Sequence, residues 1–296
     1  MIRIAIYFIA GFSFFSCKKN IAQRNTTTVS SADTAVYITT DKAAYLPGES
    51  VMFSIDRDLP NSARIRYRQL STVIAETNFE GKQWKWIPPG TDFTGYMVDV
   101  YNIEKGAEKI YGSIAVDVSS DWSRFIRYGF LSAFGPLLNA HMDSVMNMLN
   151  RLHINGLQFY DWSYEHHQPL AGTVSNPASS WKDIASRENY KSTVDHYISV
   201  AHEHNMKAMS YNLCYGALND AAQDGVLDQW YMYTDQNHQK KTVLTLPAPF
   251  KSNIFLMAPS NANSQKYIAA RNLDMSNVFA FDGYHVDPVA IGRAHV

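Results

Sequence analysis

The chain has 296 residues, 46% hydrophobic and 13% aromatic, so it is globular and long enough for about two domains. A formal net charge of −1 offers no electrostatic handle for nucleic acid or an anionic membrane surface, and neither is expected as a partner. The 18 Tyr, 15 Phe and 6 Trp are mostly core material, although flat apolar rings with a polar edge also suit stacking on sugars.

Residues 1–17 (MIRIAIYFIAGFSFFSC) read as a secretory signal: Arg3 in a short basic region, an apolar run short for a spanning helix, Ser16, then Cys17. Cysteine at that boundary, followed by Lys18 and Lys19, resembles a bacterial lipoprotein signal in which Cys17 is acylated. The alternatives are a plain signal peptide and an uncleaved anchor. The expectation is an exported protein, lipid-anchored to the bacterial outer membrane at the cell surface or on the periplasmic side. Cys214 then has no second cysteine to pair with, so there is no disulfide framework. Residues 18–34 are polar, rich in Thr and Ser and aperiodic, and they predict a flexible tether.

From residue 35 to about 120 the pattern is all-β. Short alternating segments at 36–40, 51–55, 63–68, 84–87, 95–101 and 110–118, separated by turn signals such as Pro47-Gly48, predict a β-sandwich. The phrase D-K-x-x-Y-x-P-G-E-x-V (41–51) resembles the opening of immunoglobulin-like domains attached to bacterial surface proteins and glycoside hydrolases. Trp84 and Trp86 could form a sugar platform. Their alternate spacing fits one packed strand face as well, and a packed spacer domain is the preferred reading.

After Asp121-Trp122 strands alternate with helices. Strands are predicted at 127–132, 154–160 and 207–212, and a fourth over the apolar run Val278-Phe279-Ala280-Phe281. Helices are predicted at 139–152, 190–205 and 264–273. This is the signature of parallel βα units. About four such units within residues 121–290 make an incomplete (β/α)8 TIM barrel, because eight strands are needed for closure.

Each predicted strand ends in polar and aromatic residues: Ser132; Asp161, Trp162, His166 and His167; Tyr211 and Asn212, with Tyr215 just beyond; and Asp282, His285 and Asp287. Convergence of such residues from several strand ends is how an α/β barrel builds a site. His166 and His167 with Asp161 are metal-ligand types, but adjacent histidines point apart and no ligand spacing supports them, so no metal or other cofactor is expected. Cys214 has no histidine pattern nearby, and G-x-S-x-G is absent. Carboxylate chemistry on a sugar fits better.

The motifs R-Y-G-F-L-S-x-F (127–134), H-I-N-G-L-Q-F-Y-D-W-S-Y-E-H-H-Q-P-L (153–170), W-x-D-I-x-x-R (181–187), M-S-Y-N-L-C-Y-G-A (209–217) and F-D-G-Y-H-V-D (281–287) look like glycoside hydrolase family 66. That family contains endo-dextranases and cycloisomaltooligosaccharide glucanotransferases. The likeness spans roughly residues 36–287. It implies an immunoglobulin-like domain, a (β/α)8 catalytic barrel and a carboxyl-terminal β domain. The implied reaction is retaining attack on α-1,6-glucosidic bonds of dextran or isomalto-oligosaccharides. By the same resemblance Asp287 is the nucleophile and Asp161 a carboxylate of the sugar pocket; Trp162, His166, His167, Tyr211, Asn212, Tyr215, Asp282 and His285, from the polar and aromatic strand ends, are the candidate binding residues. Asp282, read as still within the strand, is expected to brace the site rather than attack.

The resemblance assigns the general acid/base to a glutamate on a later strand, beyond residue 296. After Asp287 the chain departs from the family, with Pro288-Val289-Ala290 and then residues 291–296 read as a non-native tail on a truncated reading of a longer gene. The expected activity is endo-dextranase, with this piece alone inactive. A cyclising transferase and a non-catalytic glucan-binding lipoprotein are the alternatives.

Overall fold

Alternation of apolar and polar residues builds the amino-terminal half as two antiparallel sheets. A computed structural model describes residues 35–287; the predicted signal segment with Cys17, the predicted tether to residue 34 and residues 288–296 lie outside the described residues. The strands are β1 (Ile38–Thr40), β2 (Val51–Ile55), β3 (Arg64–Gln69), β4 (Thr72–Asn78), β5 (Gln83–Trp86), β6 (Thr94–Glu104) and β7 (Ala107–Val118). They are ordered β1-β2-β5 in one sheet and β4-β3-β6-β7 in the other. Residues two apart point the same way, so Val51, Phe53 and Ile55 share one core with Ile65, Tyr67, Val98, Val100 and Val116 from the facing sheet. Trp84 stacks on Phe53 at 4.9 Å, and Trp86 reaches across to stack on Tyr67 at 4.4 Å. Both tryptophans therefore pack inward. The edge strand β4 escaped the sequence reading because none of its residues is buried and it carries no alternation to find.

The second half contains β8 (Tyr128–Leu131), α1 (Asn139–Arg151), β9 (Gly156–Phe159), the hairpin β10 (Ser180–Lys182) and β11 (Glu188–Tyr190), α2 (Lys191–Glu203) and β12 (Lys207–Leu213). It continues with β13 (Gly216–Ala217), β14 (Val243–Leu244), β15 (Ile254–Leu256), α3 (Ala262–Ser276) and β16 (Gly283–Asp287). Strands β16-β12-β9-β8 form a parallel sheet. Every residue of β9 is buried, as expected for an inner parallel strand. Helix α3 starts ahead of its predicted residue because Asn261 caps it, its side-chain oxygen accepting from the Asn263 and Ser264 amides. Strands β13-β15-β14 form a small separate sheet with its own apolar core, inserted between β12 and α3.

The fourth strand is displaced from its predicted position. Residues 278–281 are not strand; they run from the end of α3 to β16, and Phe279 and Phe281 wedge against Trp162 at 4.9 and 4.8 Å. An apolar run satisfies a core without being a strand, and here the polar stretch Gly283–Asp287 makes the ladder with β12. The two halves are tied at the ends of the helices. Asn150, in the last turn of α1, donates to the Thr40 carbonyl, and Asn205, just past α2, donates to that of Ala44. The Ala43 amide donates to the His204 carbonyl, capping α2, and Arg127 pairs with Asp117 at 2.7 Å.

Candidate active site

The carboxyl ends of β9, β12 and β16 meet at one rim. Register pairs Tyr211 with His285 and Leu213 with Asp287, so the last residue of β16 stands level with the last residue of β12. Alternation puts Gly283, His285 and Asp287 on one face of β16. The Tyr211 phenol donates to Asp287 Oδ2 at 2.5 Å, and the Tyr160 ring packs on Tyr211 at 4.7 Å. Burial and the adjacent Asp287 charge both push the Tyr211 phenol far up, so it stays protonated and acts as a donor that orients the carboxylate.

These residues border a cleft of about 160 Å³. Tyr160, Asp161, His166, Tyr211 and Asp287 form its polar side; Ile184, Leu213 and, from the insertion, Leu244, Leu246, Phe250 and Ile254 form its apolar side. An amphipathic slot of this kind suits a sugar, which presents hydroxyls at its edge and C–H groups on its faces. Larger hollows lie elsewhere, about 450 Å³ at the junction of the two halves and about 510 Å³ beside α3. Their charged groups are already paired, Asp117 with Arg127 and Lys207 with Asp282.

Asp161 sits in the left-handed region at φ 48°, which turns its side chain into the cleft directly after β9. Burial raises its carboxyl to about 6; Arg187, 3.9 Å away, opposes the shift, while Asp183 and Asp287 add to it. His166 is buried, and its Nδ1 bonds to Asn212 Oδ1 at 2.6 Å while Asn212 Nδ2 donates back to the His166 carbonyl. Desolvation lowers His166 to about 4. The ring is neutral at pH 7, with its proton on Nδ1 and Nε2 left as an acceptor.

The structure thus brings Asp287, Asp161, His166 and Tyr211 together, with Asn212 buried behind His166. Other expected binding residues are elsewhere. Trp162 is wholly buried, its indole donating to Ser210 Oγ and its ring packed on Phe279 and Phe281. It is a core residue because the left-handed turn at Asp161 sends the two side chains apart. His167 is wholly buried and turned away to Asp224 at 2.9 Å and Glu165 at 3.3 Å. Tyr215 belongs to the core of the insertion.

Asp282 precedes β16 instead of lying in it, and it sits at the opposite end of the strand from Asp287. There it binds Lys207 Nζ at 2.8 Å, His202 Nε2 at 2.9 Å and the Ala208 amide at 2.8 Å. A five-residue strand puts roughly 16 Å between the two carboxylates. Asp282 fastens the start of β16 and does not reach the cleft. His285 lies one pleat below the rim, between Tyr128 at 5.3 Å and Tyr211 at 6.3 Å, its buried Nδ1 without a hydrogen-bond partner. Burial raises the Cys214 thiol, so no activated sulfur nucleophile is formed there.

Two contributors were missed. Arg187 closes the W-x-D-I-x-x-R motif: Asp183 holds its Nε at 2.8 Å, and its guanidinium reaches the Ser132 and Asp161 carbonyls. Asp183 and Arg187 sit in the turn between β10 and β11, where a spacing of four carries no helical meaning, so only the motif itself drew notice to them. The apolar wall had no such signal, since its residues are scattered through a stretch without periodicity.

A family model for glycosyl hydrolase family 66 matches residues 40–294. Two cycloisomaltooligosaccharide glucanotransferases of Niallia circulans are 31% and 30% identical over 265 and 270 residues, 84% of this chain in each case. The chain spans 27% of the length of those curated relatives. A crystal structure of a Paenibacillus sp. cycloisomaltooligosaccharide glucanotransferase, complexed with cycloisomaltoheptaose, superimposes with a TM-score of 0.77 at 31% identity, over 86% of this chain and 38% of that one.

Proposed function

The chain belongs to glycosyl hydrolase family 66, and on that premise we propose that Asp287 is the nucleophile of a retaining, endo-acting α-1,6-glucan hydrolase acting on dextran or isomalto-oligosaccharides. The observation that carries this reading is the Asp287 carboxylate at the carboxyl end of β16, oriented by the Tyr211 phenol and sharing one cleft with Asp161. In the first step an Asp287 oxygen bonds to the anomeric carbon as the glycosidic C–O bond breaks, and the leaving oxygen takes a proton from the acid. In the second, water replaces Asp287 and returns a proton to that group. The acid is the glutamate that the family resemblance assigns beyond residue 296. Asp161 accepts hydrogen bonds from hydroxyls of the glucosyl unit under attack, and His166 Nε2 offers a second acceptor.

On the same reading the parallel sheet is the opening part of a (β/α)8 catalytic barrel, and the two facing antiparallel sheets are an immunoglobulin-like domain. The lipoprotein-like amino terminus would hold the enzyme on the outer membrane by Cys17, facing its polysaccharide. A cyclising transferase is the second reading, favoured by the names of the relatives: it would pass the glucosyl chain from Asp287 to the chain's own distal hydroxyl instead of to water. Product analysis on dextran, with a chain carrying the whole catalytic domain, tests both. Linear products with new reducing ends support the hydrolase, and cyclic products without them support the transferase. Dextran binding with neither product contradicts catalysis by this chain.

A further inference from the structure

We propose that Glu165, His167 and Asp224 bind one divalent transition cation, zinc or manganese(II), behind the polar wall of the cleft. Glu165 and His167 come from the loop after β9, and Asp224 from a short 3-10 turn that follows β13. Asp224 lies 57 residues from His167 in sequence, which is why ligand spacing could not reveal the cluster. One donor atom from each of the three falls within 4.8 Å of the others. His167 Nε2 stands 2.9 Å from Asp224 Oδ2 and 3.3 Å from Glu165 Oε2. Donors held about 2.0–2.2 Å from zinc at tetrahedral angles are spaced about 3.3–3.6 Å apart, so the cluster needs only a small expansion.

A second observation points to a ligand. Glu165 is 3% exposed, and its Oε2 has no hydrogen-bond partner although it faces the imidazole. Its other oxygen is taken by Lys251 Nζ at 3.0 Å. Glu165 and Asp224 thus flank the imidazole with Lys251 as the ammonium in contact, and a dication there offsets the negative charge that remains. A mixed imidazole–carboxylate set favours zinc or manganese over calcium, which prefers oxygen donors alone. Asp224 is 36% exposed and leaves an entry path.

His167 Nδ1 receives the Leu218 amide at 3.3 Å, which keeps the ring proton on Nε2, between the two carboxylates. The cation takes the place of that proton. Nδ1 then carries the hydrogen and gives up one long bond, which the metal–imidazole bond replaces. The site would clamp the loop bearing His166 to the insertion that supplies the apolar wall. It stands independently of the glycosidase reading.

The test is calorimetric titration of tag-free, metal-stripped protein with zinc chloride and, separately, manganese chloride, with thermal unfolding as a second readout. The expected result is one equivalent bound, a raised Tm, and at least ~10-fold weaker binding in Asp224→Asn. Asp224→Asn alters a partly exposed turn and should keep the wild-type circular dichroism, so it serves even if the buried Glu165→Gln does not fold. Failure of both metals to bind stoichiometrically at about 100 µM, or equal affinity in Asp224→Asn, would overturn the proposal. Calcium binding in place of zinc and manganese would also overturn it, because the imidazole would have no part.

Discussion

Two aspartates, one fully buried and one partly buried at the cleft, are treated in opposite ways. Asp99, on the four-stranded sheet of the first half, has no exposed side-chain surface, and its oxygens are held by Arg68 at 2.7 Å, Ser113 at 2.6 Å and Arg66 at 3.0 Å. Burial pushes its carboxyl up, but Arg68, Ser113 and Arg66 outweigh that and hold it below the usual range. Asp161, in the cleft, is paired among the described residues with Arg187 at 3.9 Å alone, and burial wins, raising it to about 6. A structural carboxylate is surrounded until it is satisfied; one that is to take hydroxyls of a substrate, the role proposed for Asp161, is left short of partners. The same contrast spans β16: Asp282, just before the strand, is saturated by Lys207, Ala208 and His202, whereas Asp287 at its end has the Tyr211 phenol.

Substitutions that exchange the two kinds of environment sharpen or break this contrast. In a chain carrying the whole catalytic domain the largest effect is expected for Asp287→Asn, with kcat on dextran falling about 10³-fold or more while dextran affinity, read by isothermal titration, stays within a few-fold. Asp282→Asn at the other end of the strand should lower Tm and leave kcat within a few-fold. If both variants lost activity equally, with unchanged Tm, position along the strand would not be what separates the two carboxylates.

Asp99→Ala comes next. It strips the charge partner from two guanidiniums, and urea unfolding should show a loss of about 2–3 kcal/mol, below the usual range for a buried pair because Arg66 and Arg68 are partly exposed.

Asp161→Asn should move the other way. Its folded carboxyl lies near 6, above the unfolded value near 3.9, so the native state favours the protonated form. Stability from that preference is present below about pH 4 and lost as pH rises through 6. The asparagine variant should therefore match wild type at pH 4 and gain about 1–2 kcal/mol at pH 7, measured by urea unfolding at both values. It should also bind isomalto-oligosaccharides more weakly. A gain that is the same at both pH values would contradict desolvation as the cause.

The smallest effect is expected for Tyr211→Phe, which removes one hydrogen bond to Asp287 and should lower kcat about tenfold with little change in Tm.

Elements with strong periodicity were legible in the sequence: α1, α2, β8, β9 and β12 all stand within two residues of where the apolar spacing puts them. The rim position of Asp161 and Asp287 was legible too, because polar residues directly after buried strands have few other places to go. What misled was side-chain direction. Asp161 and Trp162 are adjacent, as are His166 and His167, yet one of each pair faces the cleft and the other the interior. Asp161 also takes a positive φ, which aspartate tolerates but does not require, so its direction could not be read from alternation alone. The apolar stretch before Asp282 read as a strand because buried coil and buried strand share a composition; its two phenylalanines serve the Trp162 core instead. The insertion was hidden because β13, β14 and β15 are two or three residues long, too short to show a period.

The most direct measurement is to trap the covalent intermediate. An α-isomaltosyl fluoride needs no protonated leaving group, so attack by the nucleophile can be watched without the acid. Peptide mass mapping after brief exposure and acid quench should find one glucosyl-type adduct, on the carboxylate of Asp287, and none in Asp287→Asn. An adduct on Asp161, Asp282 or any other side chain would contradict the account.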